Sequence, residues 1–192
     1  MMRQHIFSSV KLTIACLMIF MGLYPLFILL IAQAGPNRGR GETLSVDGKV
    51  IGYALEGQSF TQDRYFWGRP SAAGYNAASS AASNKGPSNP EYLKLVQDRT
   101  DSFLAHNPGV NKAAIPAELV TASGSGLDPD ISPEAAYVQV KRIAAVRKIQ
   151  EGKLSELISK HTITPLLGFM GTTKINVLQL NIELDKLKMI PQ

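Results

Sequence analysis

Between Leu12 and Ile31 the chain runs for 20 residues without a charged side chain. At about 1.5 Å rise per residue, a helix of that length crosses the roughly 30 Å hydrocarbon core of a bilayer. Later apolar runs are shorter and broken by charges, so the sequence predicts one membrane span. Ala32-Gln33-Ala34 ahead of Gly35 also has the small-residue spacing of a signal-peptidase site, which makes a secreted domain released after Ala34 the rival reading. A signal peptide usually has an apolar core of only about 7 to 15 residues, and the longer run here favours an uncleaved anchor. Pro25 falls inside the span, where a proline is tolerated when neighbouring helices or waters satisfy the freed carbonyl. It predicts a kinked helix with packing partners.

Charge alone does not orient this span, because Arg3 and Lys11 precede it while Arg38 and Arg40 follow closely. The short N-terminal tail and the large polar region downstream favour the N-terminus inside and the C-terminal domain outside. The expected organisation is a cytoplasmic tail over 1–11, a transmembrane helix over 12–34 and a linker over 35–42. One extracytoplasmic α+β domain follows over 43–192. The Gly-, Pro- and Arg-rich linker would lift the domain from the bilayer, with Arg38 and Arg40 against lipid head groups.

The outer region is long enough for one domain with a real core and short for two. The only cysteine, Cys16, lies in the span, so that domain is held by packing without a disulfide. Its charge is modest: the 20 basic residues less Arg3 and Lys11 leave 18 against 15 acidic ones, a net of +3. So small and dispersed an excess gives no reason to expect nucleic acid.

Along the domain, Leu44 and Val46 alternate with polar residues up to Asp47-Gly48, and an apolar run resumes over Val50 to Leu55, the pattern of a β-hairpin. Phe60 to Asn89 is rich in Ser, Ala, Gly, Asn and Pro, yet carries Tyr65, Phe66, Trp67 and Tyr75. It predicts a long ordered loop, docked either for function or to pin itself to its own core. Asn89-Pro90 opens a helix through to His106, with Tyr92, Val96 and Phe103 on one face and Arg99 beside them. A second helix is expected after Ser132, with Ala136, Val140, Ile143 and Val146 as its apolar stripe, Arg147 within that stripe and Gln139 at its edge. A third spans Leu154 to Lys160. Asn176 with Gln179 suggests a capping box for a last helix through Leu187, although Leu178, Leu180, Ile182 and Leu184 also alternate like a strand.

No catalytic residue is assigned. The sequence holds no G-x-S-x-G, H-E-x-x-H or Walker A pattern and no cysteine nucleophile outside the span. His106 and His161 lie far apart, and no Cys, His or acidic cluster has metal-ligand spacing. The most unusual stretch runs from Thr121 to Pro133. Backbone amides at Ser123, Gly124, Ser125 and Gly126, ahead of a helix, suit a nucleotide phosphate. Asp128 and Asp130 would repel that phosphate. The alternative is structural: Ser132 caps the helix, the glycines supply special backbone angles, and Asp128 or Asp130 pairs with Arg99 or Arg147 to clamp the loop.

Several strings together resemble the C subunit of the Kdp-type potassium-transporting ATPase. They are Tyr65-Phe66-Trp67-Gly68-Arg69-Pro70-Ser71-Ala72, Tyr75-Asn76, Ser83-Asn84, Ile115-Pro116 with Glu118-Leu119-Val120, and Ser123 to Pro133. Gln139 with Arg142 and Arg147, and Asn176-Val177-Leu178 to Asn181, complete the set. The resemblance covers nearly the whole chain; Asp130 departs from it, standing where many relatives carry histidine. It implies a non-catalytic accessory subunit of a high-affinity ATP-driven potassium uptake complex in the bacterial inner membrane. Expected partners are a channel-like potassium-translocating subunit, a P-type ATPase subunit that hydrolyses the ATP, a small hydrophobic subunit and the lipid bilayer. No cofactor is expected to bind firmly, ATP being met through the complex. The family is also described as a catalytic chaperone that raises the ATP affinity of the pump subunit, with the Ser-Gly segment as nucleotide contact. An extracytoplasmic loop does not meet ATP, so topology and that contact stand in conflict.

Overall fold

A computed structural model describes residues 2–187. The chain divides into two compact units, the first ending at Glu42 and the second beginning at Thr43. In the first, α1 (Met2–Leu17) leads through a π-helical stretch, Met18–Leu23, into α2 (Tyr24–Ala34). Residues 2–11, expected as a tail, are helical as well. Within this rod His5–Ala34 is long and apolar enough to span a membrane, with a mean hydropathy of 2.6 in its most apolar stretch. Pro25 has no N–H to complete the helical ladder. The irregularity expected there takes the form of a wider register just before it, with the Tyr24 amide donating to the Ile19 carbonyl five residues back.

The second unit is mixed α and β. Strands β1 (Thr43–Val46) and β2 (Lys49–Tyr53) pair antiparallel with Val46 opposite Lys49. Asp47 and Gly48 both have positive φ, 50° and 77°, as a tight hairpin turn twisted to suit its strands requires. Apart from a 3-10 turn at Ala77–Ser79, the chain then has no regular structure until α3 (Pro90–His106). Asn89 caps α3 through a hydrogen bond from the Tyr92 amide, 3.0 Å, and Phe103 is buried on the face that Tyr92, Val96 and Arg99 share.

The C-terminal half supplies most of the core. Strand β3 (Asp130–Ile131) pairs antiparallel with β4 (Ile175–Asn176), and between them lie α4 (Pro133–Tyr137), α5 (Val140–Arg147) and α6 (Glu151–His161); α7 (Val177–Lys186) follows β4. Phe66, Ile131, Ile143, Leu154, Ile158, Ile175, Leu180 and Leu184 are fully buried together. At roughly 1.5 to 3 kcal/mol for each large apolar side chain removed from water, this cluster is the main stabilising term of the unit.

Two expectations need correction. The single helix expected after Ser132 is broken into α4 and α5 at Val138-Gln139, and Val146 is 52% exposed rather than part of an apolar stripe. Helical geometry explains the second point. Val140, Ile143 and Arg147 share one face, whereas Val146 lies beyond its edge, about 120° round the helix from Val140 and about 100° from Arg147. The C-terminal ambiguity resolves as helix: Asn176 caps α7 by accepting from the Gln179 amide at 3.0 Å, and only Ile175–Asn176 is strand.

Candidate functional site

The long loop is docked through its aromatic segment, and the docking is polar. Phe66 is fully buried, but its neighbours form no sheet, so its N–H and C=O need partners from side chains. Asn181 on α7 supplies both, accepting from the Phe66 amide at 2.9 Å and donating to its carbonyl at 2.9 Å. Gln139, between α4 and α5, does the same for the next residue, accepting from the Trp67 amide at 2.8 Å and donating to its carbonyl at 3.2 Å. Successive residues of an extended backbone present their polar groups to opposite sides. Two carboxamides therefore stand where flanking strands would.

Two arginines of α5 grip the approach to this segment. Arg142, 5% exposed, donates from Nη1 to the Asp63 carbonyl (2.7 Å), from Nε to Asn107 (3.0 Å) and from Nη2 to Gln139 Oε1 (2.7 Å). Its guanidinium also lies over the Trp67 ring, 4.4 Å from the centroid. Burial pushes its pKa down to about 10, and the Asp63 carboxylate partly offsets this. Arg147 donates to the Arg64 carbonyl (2.6 Å) and to Asp185 (2.6 Å) while sitting over the Tyr65 ring at 4.9 Å. Asp185 also accepts from the Tyr65 hydroxyl at 3.0 Å. Each buried guanidinium is thus matched by oxygens and an aromatic face, which offsets its desolvation.

The Ser-Gly segment is a second docked loop. Its Ser123 amide donates to the Pro70 carbonyl, the Ser71 hydroxyl donates to the Gly126 carbonyl, and the Ala81 amide and Ser80 hydroxyl donate to the Ser125 carbonyl. Gly126 has φ of 69°, and a Cβ there would fall 2.8 Å from the Ala81 carbonyl oxygen. Ser123 and Gly126 are buried, Gly124 and Ser125 exposed. The segment does not run directly into a helix: β3 intervenes, and α4 is five residues long. At the start of α4 the amide of Ser132 donates to Glu118, and Ser132 Oγ accepts from the Ala135 amide at 3.1 Å, the cap the sequence suggested.

The expected arginine clamp has different members. Asp128 pairs with Arg69 at 2.8 Å and Asp130 with Lys174 at 2.6 Å, at a cleft of about 300 Å³ that Glu118, Thr172 and Thr173 also line. Arg147 pairs with Asp185 instead, and Arg99 donates to the Val120 carbonyl at 3.2 Å. Arg147 is buried and Arg99 only partly so, and neither pairs with Asp128 or Asp130. Burial and the Asp128 carboxylate raise the pKa of the adjacent Tyr75 hydroxyl, with Arg99 opposing; that hydroxyl donates to the Arg69 carbonyl. Gln139, placed by periodicity at the edge of a stripe, is fully buried. Among the described residues no three His, Cys, Asp or Glu side chains converge to hold a metal ion.

Sequence reasoning gave no separate role to Arg142, Asn181 or Arg69, or to the arm between α6 and β4. In that arm Ile163 bridges Lys174 and Leu166 bridges Met170. Leu166, Leu167, Phe169 and Met170 are 70%, 75%, 76% and 55% exposed. The available signal was the absence of any charge from Thr162 to Thr173, with Gly168 and Gly171 marking turns.

These features define a protein with one N-terminal helix long and apolar enough to span a membrane and an α+β domain whose buried polar side chains hold its own loops in place. The family model for the K+-transporting ATPase, c chain, matches residues 6–186, and the chain belongs to this family, KdpC. It is 55% identical over 185 residues to the potassium-transporting ATPase KdpC subunit of Flavobacterium psychrophilum, covering 96% of this chain and all of that one. The KdpC subunit of Bacteroides thetaiotaomicron is 53% identical over 188 residues, with 96% and 100% covered. That of Caldanaerobacter subterraneus subsp. tengcongensis is 42% identical over 184 residues, with 95% of each covered.

Proposed function

We propose that this chain is a non-catalytic accessory subunit that stabilises assembly of an ATP-driven potassium uptake complex. It joins a channel-like subunit to the P-type ATPase subunit, with a small hydrophobic subunit alongside. It is held in the bacterial cytoplasmic membrane by its N-terminal helix, N-terminus inside and domain outside. The observation that carries this reading is the uncharged arm Thr162–Thr173, in which Ile163, Leu166, Leu167, Phe169 and Met170 stand in water. Contiguous exposed apolar surface is characteristic of a protein that buries it against a partner. The clamped aromatic loop supports the same reading, because side chains committed to their own backbone make a rigid platform rather than a reaction centre.

Co-purification tests it. The doubly substituted chain Leu167→Asp with Phe169→Asp, expressed with the other subunits, is expected to remain folded in the membrane fraction while recovery of the intact complex through a tag on the ATPase subunit falls several-fold. Undiminished recovery would remove the arm from the assembly and with it the main support for this role. The competing reading, a nucleotide-binding chaperone acting through Ser123 to Gly126, requires that loop on the cytoplasmic side.

A further inference from the structure

Beside the aromatic segment lies a pocket of about 240 Å³ that the assembly role does not use. Arg69 and Arg99 both line it, together with Ser59, Thr61, Trp67 and Tyr75, and none of its lining residues is acidic. The two guanidiniums are incompletely matched. Arg69 gives Nη1 to Asp128, yet its Nε is buried with no hydrogen-bond partner among the described residues. Arg99 makes a single hydrogen bond among those residues, from Nη1 to the Val120 carbonyl, and has no carboxylate partner there. Leaving a buried donor unpaired is costly, and native proteins carry few such donors without a reason.

We propose that this pocket is a binding site for a phosphate oxyanion. A guanidinium presents its N–H groups in a planar fork that matches phosphate oxygens, and it holds them with charge-assisted bonds. Two such groups at one concave site, with hydroxyls from Ser59 and Thr61 and the apolar flank of Trp67, make a receptor for a phosphate carried on a small body. Asp128 neutralises Arg69 in part; Arg99 supplies the uncompensated charge. The phosphate has two sources, free phosphate or the head group of an anionic phospholipid, and one experiment separates them.

Trp67 is the only tryptophan in the chain, so its fluorescence reports on the pocket. The full chain is placed in phosphatidylcholine nanodiscs and titrated with inorganic phosphate, against sodium chloride of equal ionic strength. We expect a saturable change with phosphate alone, and roughly tenfold or weaker apparent affinity in Arg99→Gln, the loss of a charge-assisted contact. Arg99→Lys, which keeps the charge without the fork, falls between, and circular dichroism checks that both variants fold. In nanodiscs of phosphatidylglycerol, a signal already at its saturated value before phosphate is added identifies the lipid head group; a signal that still needs phosphate identifies the free anion. No saturable response in either bilayer, or an Arg99→Gln chain that responds like the parent, overturns the proposal.

Discussion

The side-chain oxygen of Gln139 accepts two hydrogen bonds at once, from the Trp67 amide at 2.8 Å and from the Arg142 guanidinium at 2.7 Å. One buried atom thus joins the aromatic loop to the charge that lies over its indole ring. Gln139→Leu keeps roughly the same volume but removes both bonds and the one Nε2 gives the Trp67 carbonyl, leaving the Trp67 amide and carbonyl and a guanidinium N–H without this partner. The expected loss is about 2 to 4 kcal/mol of unfolding free energy. It is read by urea unfolding of the full chain in detergent, where an unchanged midpoint would show that the network contributes nothing.

The two glycines of the Ser-Gly loop should behave differently. A methyl at Gly126 meets the Ala81 carbonyl and the Ala73 Cβ, and φ there is positive, whereas nothing lies within 4 Å of the corresponding position at Gly124. Gly126→Ala is expected to cost about 1 to 3 kcal/mol, and Gly124→Ala less than about 1 kcal/mol. Equal effects on unfolding would contradict the packing of this loop on residues 71–81.

Of the two aspartates, Asp128 should matter more. It holds Arg69 and also accepts from the Asp130 amide at 3.1 Å, while Asp130 holds the half-exposed Lys174. Asp128→Ala strands an arginine whose Nε already lacks a partner, and is expected to cost about 1 to 3 kcal/mol. Asp130→Ala removes a single ion pair whose lysine is 45% exposed and can turn to water, worth under about 1 kcal/mol. Comparison of the two melting temperatures decides the order.

Arg142 links stability to pH only in alkaline solution. Its pKa is about 10 in the folded chain, well below that of a free guanidinium, so above about pH 10 the unfolded chain holds this proton more tightly, and the group's contribution to stability rises with pH. Below that window both states are charged and the contribution is flat. The difference in urea midpoint between the parent and Arg142→Gln should therefore hold steady from about pH 6 to about pH 9 and move in the parent's favour above about pH 10. A drift across neutrality would contradict the assignment. Tyr75 has the opposite sign, its raised pKa weakening the fold as alkali deprotonates it more readily in the unfolded chain.

Orientation is tested by labelling. With Cys16→Ser removing the native thiol and Ser125→Cys placing one on an exposed loop position, an impermeant maleimide should label intact cells. Labelling that appears only after the membrane is opened would reverse the topology and bring the Ser-Gly loop to the side where ATP is found.

Local signals were read correctly from the sequence because local chemistry decides them. The Asp47-Gly48 turn, the Asn89 and Ser132 caps and the Asn176 cap each act within a few residues. Ion-pair partners were not legible. Arg147 meets Asp185 from 38 positions away and Arg69 meets Asp128 from 59, and no periodicity encodes such distances. The Gln139 network escaped for a related reason: an amide at the edge of an apolar stripe gives no sign of its bonding partners until the loop that needs it is folded against it. The apolar arm was visible only as missing charge, a signal that carries no period of its own.

The carboxamide clamp also sets an order of events. Asn181 stands 115 positions beyond Phe66, and Gln139 72 beyond Trp67, so closing these contacts forfeits a large loop entropy before any local bond repays it. The hairpin and the capped helices can form from neighbouring residues, but the aromatic segment has no partner until α5 and α7 have met. Its backbone groups are therefore paired only when α7 is in place, and a chain cut short of that helix would carry its most aromatic stretch unsecured.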